Sequence, residues 1–246
     1  MRHIIFSGIV HPERAAVSIS EITQELSLAD GTDLGRLKLA ISASQISAML
    51  ESTLQDIDLL TLRNSIFPRI ESLVDNLGFN LGCGYQVEIV QAVELSTSKV
   101  TVFGVGLNFL QHKYTKEELL KQFGRISSLS KGIEGAYFQR VLAMLRNAIR
   151  SPFETGLYCF MAVESLRNIY CLKNNLDPEQ EKTKSWDLLR VDLGVTKNFI
   201  NENIKAHADI VRHGGLVSIS ESDRTIVLRS TWELVEKYVA KHGIDR

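Results

Sequence analysis

The sequence predicts an α+β protein: a small antiparallel sheet with a packed helix over residues 1–110, a connecting helix and linker over 111–135, and an all-α helical bundle over 136–246. Three observations carry this. Apolar and polar residues alternate through much of the first part, as on strands with one buried face. From Asp58 the apolar spacing changes to three and four, as on a helix. Beyond Asn108 the composition shifts, and the long apolar patterns are helical.

Ile5, Ile9, Val17 and Ile19 stand among Ser, His and Glu, and His11-Pro12-Glu13-Arg14 is a turn sequence, so residues 3–20 are expected to form a hairpin. Leu37-Lys38-Leu39-Ala40-Ile41-Ser42 alternates likewise. Leu59, Leu62, Ile66, Ile70, Leu73, Val74 and Leu77 make a helical stripe with its stop expected at Gly78. Pro68 interrupts the stripe, and because proline lacks the N–H and clashes with the preceding turn, the helix either kinks or starts there. Two more strands, Tyr85 to Leu95 and Lys99 to Asn108, are joined by the turn Ser96-Thr97-Ser98.

In the second half, Thr115-x-x-Glu118 has capping-box spacing and opens a short charged helix reaching Phe123. Residues 124–135, rich in Ser and Gly, read as a linker. Tyr137 to Arg150 and Phe153 to Asn174 are long helical patterns, and Pro152 between them suits a helix start. A polar loop over 176–184 precedes a short helix from Trp186 to Val191, which ends near Gly194. Thr196 to His213 is a longer helix. Ser220-x-x-Asp223 starts the last, with Ile226, Val227, Leu234, Val235, Tyr238 and Val239 as its apolar surface.

With 28 Lys+Arg against 29 Asp+Glu the chain has a formal net charge of −1, so no global positive field concentrates nucleic acid and any such site is local. Cys83, Cys159 and Cys171 have neither disulfide-framework nor metal-ligand spacing and read as reduced thiols. The apolar run after Arg2-His3 is too short for a signal peptide. No stretch approaches the roughly 20 apolar residues of a membrane helix. A soluble cytoplasmic protein is expected, with no membrane contact, no metal and no cofactor.

The most informative segment is Ala206-His207-Ala208-Asp209-Ile210-Val211-Arg212-His213-Gly214-Gly215. A glycine past the last turn closes a helix in the left-handed conformation and leaves Arg212 and His213 at the end where the dipole favours cations. On a regular helix from Thr196, Ile200, Ile204, His207 and Val211 share one side, with Lys205, Asp209, Arg212 and His213 around another. His207 therefore reads as a core or boundary histidine. His213 reads either as a cation complementing the dipole or as an acid or base near neutral pH, beside Arg212 and within a turn of Asp209.

The order of a helix carrying Ala162-Val163-Glu164-Ser165-Leu166, a polar loop, a helix ending Asp209-Ile210-Val211-Arg212-His213-Gly214, and a further helix with Trp232-Glu233-Leu234-Val235 resembles HEPN proteins over residues 137–240. The resemblance implies a helical bundle, often a homodimer, with RNA as partner and, in active members, metal-independent ribonuclease activity of a bacterial defence or toxin type. It implies His213 as the acid or base at the ribose 2′-hydroxyl, Arg212 on the phosphate, and Glu164 and Asp209 supporting these groups. In the family an arginine is followed by four to six residues and then the histidine, and at the corresponding positions before His213 this chain has Ala206, His207 and Ala208. Adjacent helical residues point about 100 degrees apart, which separates Arg212 from His213. Arg167 replaces the missing arginine if the Glu164 helix packs alongside; otherwise it is a solvated surface residue.

The reading from a different class is a non-catalytic protein-interaction or ligand-binding module, in which the bundle is the dimerisation unit and the sheet binds a partner protein or a small ligand. The glycines of Gly78-Phe79-Asn80-Leu81-Gly82-Cys83-Gly84 lack the Lys-Ser/Thr of a phosphate-binding loop and read as a turn. Convergence of Arg212, His213 and a second arginine in one groove distinguishes the two readings.

Overall fold

The computed structural model describes residues 1–28, 31–104, 106–110, 113–215 and 219–244. It has an α+β fold: a six-stranded antiparallel sheet with a packed helix, followed by an all-α helical bundle. The chain divides into two compact units, one founded on Met1–Gly106 and the other comprising nearly all of the remainder.

The first unit contains β1 (Arg2–His11), β2 (Ile19–Ser27), β3 (Asp33–Ser42), β4 (Gln45–Ser52), α1 (Leu59–Leu81), β5 (Gln86–Glu94) and β6 (Lys99–Val102). The sheet order is β2-β3-β4-β1-β5-β6, with every pairing antiparallel. The hairpin expected over residues 3–20 does not form. Both edges of β1 are occupied, by β4 with Ile5 opposite Met49 and by β5 with Ile5 opposite Val93, so β2 pairs with β3 instead. Ile4, Phe6 and Val10 face a core completed by Leu37, Leu39, Ala48 and Leu50 of the sheet and by Leu62, Ile66, Ile70 and Val74 of α1. Asp58 caps α1 by accepting from the Thr61 N–H at 2.8 Å. The helix runs through Pro68 and stops at Gly82 rather than at the expected Gly78, which is buried inside it. The strand expected over 99–108 ends at Val102, and Val105 lies outside the described residues.

The second unit contains α2 (Lys116–Leu129), α3 (Gly132–Arg150), α4 (Thr155–Lys173), α5 (Lys182–Leu193), α6 (Lys197–Ile200), a π-helical turn (Asn201–Lys205), α7 (Ala206–Arg212) and α8 (Glu221–His242). The capping box is present: the Thr115 N–H donates to Glu118 Oε2 at 2.7 Å, and the Glu118 N–H to Thr115 Oγ1 at 3.3 Å. The segment read as a linker is helical through Leu129 and again from Gly132, its glycines notwithstanding; Gln111 and His112, at the start of the expected connecting region, lie outside the described residues. α4 is the axis of this unit. Cys159, Ala162, Val163, Leu166 and Ile169 are fully buried, because a helix apolar nearly all round finds its minimum inside a bundle. The α3–α4 corner is fixed by buried Arg224 of α8, which donates to the Ile149 carbonyl at 2.7 Å and to Thr155 Oγ1 at 3.0 Å. Among the described residues no helix is long and apolar enough to cross a membrane.

Candidate functional site

Helices α4 to α7 of the second unit line a cavity of about 480 Å³. α4 contributes Phe160 and Glu164; α5 contributes Lys182, Thr183, Trp186 and Arg190. The segment from α6 to the end of α7 contributes Lys197, Ile200, Asn201, Lys205, Asp209, Arg212 and His213. A volume of this order lies within the usual range of small-molecule sites.

Local sequence explains how the last segment reaches the cavity. Thr196 caps α6, accepting from the Phe199 N–H at 3.1 Å. The chain then widens into the π turn, so the regular wheel drawn from Thr196 does not hold. The buried column is Ile200, Ile204 and Ala208, and His207 is only half-buried. Lys197, Asn201, Lys205, Asp209 and His213, four residues apart, all face the cavity. On an unbroken α-helix such a column drifts about 40 degrees per step, and the wider turn takes back part of that drift. α7 lies directly on α4 at Gly156, where a β-carbon would press into the backbone carbonyl of His207.

Arg212 and His213, expected to diverge, line the same cavity. The expected angle applies within a helix, whereas His213 is the first residue past α7, with φ −97° and ψ 16°, and Gly214 follows in the left-handed conformation at φ 79°. Arg212 is held by Phe160, over whose ring its guanidinium sits at 5.3 Å, and by Asp209 at 3.8 Å. Asp209 is also 3.9 Å from Lys205. Arg190 pairs with Asp187 on its own helix. Lys182 and Lys197 have no ion-pair partner among the described residues. Five Lys and Arg therefore face two carboxylates, Glu164 and Asp209. The cavity concentrates positive potential that the nearly neutral chain as a whole lacks, and its aromatic wall keeps part of it out of bulk water.

Arg167 neither lines this cavity nor lies on a solvated surface. It is 5 % exposed, its guanidinium sits 5.5 Å from the Trp186 ring, and its Nη2 donates to Asn168 Oδ1 at 2.9 Å. Among the described residues its Nε and Nη1 have no hydrogen-bond partner. Phe160 and Trp186 stack at 6.2 Å, so Arg212, Phe160, Trp186 and Arg167 form a continuous ladder that starts at the cavity and ends on a buried cation outside its lining. Of the residues singled out in the sequence, the cavity gathers His213, Arg212, Asp209 and Glu164, with Arg190 as second arginine where Arg167 was expected. The aromatic pair and the lysines carried no sequence signal that separates them from ordinary boundary and surface residues.

A second polar cluster lies elsewhere in the unit. Asp192 accepts from Tyr170 Oη at 2.7 Å, bonds His242 Nε2 at 2.7 Å, and pairs with Lys241 Nζ at 2.7 Å. Burial pushes the Asp192 carboxyl up, but the hydrogen bonds from Lys241, His242 and Tyr170 outweigh it and hold the group at about 2. These contacts tie the end of α8 to α4 and α5.

Residues 4–103 match the family model described as the N-terminal domain of a domain of unknown function (DUF8168), and residues 123–242 match the one described as its C-terminal domain. No curated protein and no solved structure matches the chain.

Proposed function

We propose, for a chain that belongs to the DUF8168 family across both of its domains, that the helical unit is an RNA-binding, HEPN-like module that cleaves the strand without a metal. The supporting observation is convergence: His213, Arg212 and Arg190 line one cavity with Glu164. Cleavage of RNA within the strand needs a base for the 2′-hydroxyl and cations for the charge that builds on phosphorus, and these groups supply both. In this reading His213 takes the 2′-hydroxyl proton as the oxygen attacks phosphorus. The bond to the 5′ oxygen breaks, water protonates the leaving oxygen, and a 2′,3′-cyclic phosphate remains. Arg212, braced by Phe160, faces the phosphate oxygens, and Lys182 and Lys197 attract the backbone of the strand.

The test is incubation of the purified full chain with labelled single-stranded RNA in EDTA, beside His213→Ala and Arg212→Ala. Cleavage persists in EDTA and leaves cyclic phosphate ends. It falls roughly 100-fold or more in His213→Ala and by a comparable factor in Arg212→Ala. Binding weakened by Arg212→Ala without cleavage in any chain makes the module a non-catalytic RNA binder. Absence of both binding and cleavage removes the RNA reading.

A further inference from the structure

On the α3 side of α4 lies a second cavity, of about 330 Å³, lined by Tyr137, Arg140, Met161, Glu164, Ser165 and Asn168. Glu164 lines both cavities, so one turn of α4 is their common wall. Arg140 is exposed and has no ion-pair partner among the described residues, and the half-buried ring of Tyr137 stacks on no other aromatic there. The Asn168 carbonyl oxygen is taken by Arg167, which leaves its NH₂ group as a donor at the cavity.

Arg167 connects the two sides. Its guanidinium lies over Trp186 of the first cavity and donates to Asn168 of the second, and it is 5 % exposed with two nitrogens unpartnered among the described residues. A buried cation without a carboxylate partner is costly to the fold. The charge of Arg167 lies between a ring of the first cavity and an amide of the second, so it adds positive potential behind both linings.

We infer that the second cavity is a subsite for a neighbouring nucleotide, so that the ligand of this unit is a single-stranded oligonucleotide crossing α4 at Glu164–Asn168 rather than a mononucleotide. This rests on the reading that the first cavity takes RNA. An unstacked base needs a ring to lie on and donors for its edge, which Tyr137 and Asn168 offer, and its phosphate needs a cation, which Arg140 supplies. Glu164, a carboxylate in the path of a polyanion, is accommodated as an acceptor for a ribose 2′-hydroxyl, so RNA is bound ahead of DNA of the same sequence.

The experiment is fluorescence anisotropy of labelled oligoribonucleotides and matched deoxyoligonucleotides of increasing length, starting from a mononucleotide. It uses the full chain carrying His213→Ala to keep the RNA intact, with Arg140→Ala, Tyr137→Leu or Lys197→Ala added, each checked for folding by circular dichroism. Affinity rises when the ligand lengthens beyond one nucleotide. Arg140→Ala and Tyr137→Leu each lose about tenfold for the longer RNAs and nothing for the mononucleotide, whereas Lys197→Ala weakens every length. If the longer RNAs bind no better than a mononucleotide, or both α3 variants bind them as the parent does, the subsite is overturned while the RNA reading stands. If the parent binds no RNA and Lys197→Ala changes nothing, both fall.

Discussion

The strands of the sheet unit and the cavity of the helical unit treat their charges in opposite ways. On the sheet, Arg2 meets Glu94 at 2.7 Å, Lys38 meets Glu51 at 2.8 Å, Arg36 meets Glu25 at 2.9 Å and His11 meets Glu88 at 2.8 Å. In the helical unit, among the described residues, Lys182 and Lys197 face a cavity without ion-pair partners and Arg167 is buried with two nitrogens that bond nothing. Surface pairs of the first kind add little to stability, yet they leave little net potential behind. Charges of the second kind detract from stability and create potential. The difference locates the place where the chain is shaped for something other than its own fold.

The comparison is sharpened most by two glycines. A β-carbon at Gly35, where φ is 109°, would press into the Glu51 carbonyl of the neighbouring strand, and one at Gly156 into the His207 carbonyl. Gly35→Ala and Gly156→Ala each lower the unfolding free energy by about 3 kcal/mol, measured by denaturant titration. Only Gly156→Ala also weakens RNA binding, because it moves α7 and with it Arg212 and His213. Equal losses of binding in both variants would remove the assignment of function to the helical unit.

Asp192→Asn asks whether the helical unit leaves polar groups open everywhere or only at its cavity. Its ties to Tyr170, Lys241 and His242 are closed, and their loss costs about 2 kcal/mol with no change in RNA binding. The sign with pH follows from the depressed carboxyl: its contribution is complete above the ordinary carboxylate range and is lost as pH falls toward about 2. Urea titrations across that acidic window show a steeper decline for the native chain than for the variant; parallel declines would remove Asp192 as the source.

The smallest effect has the opposite sign. Arg167→Met removes an uncompensated buried cation while keeping bulk against Trp186, and raises the unfolding free energy by about 1 kcal/mol while weakening RNA binding. A loss of stability in this variant would mean that the Trp186 contact outweighs the burial cost, and the contrast between the units would lose its clearest case.

The alternation of the strands was legible because a sheet with one covered face writes that face into every second residue. The partner of β1 was not, because the β3–β4 turn is Ala43-Ser44, both in the left-handed conformation at φ 47° and 66° without the Gly or Asn that advertises it. Gly78 misled for the converse reason: it serves close packing against the Cys83 carbonyl rather than helix termination. Arg212, His213 and Asp209 stood out by their place at a helix end closed by Gly214-Gly215, and Glu164 by the family resemblance. Their convergence depends on α4 packing against α5 and α7, which one sequence does not encode locally. Arg167 could not be read as buried, since its surroundings are Trp186 of another helix and a neighbouring amide.

The π turn over Asn201–Lys205 gives the cavity a peculiar fragility. Wide turns of this kind amount to one extra residue accommodated within a helix. Winding the same residues as an unbroken α-helix swings everything beyond by about one residue's rotation, roughly 100 degrees, carrying Asp209, Arg212 and His213 away from Lys197 while every one of them is still present; removing one position instead leaves both flanks in register. The cavity therefore depends on the winding of this turn as well as on residue identity, and two chains with the same cavity residues but different windings across it do not carry the same cavity.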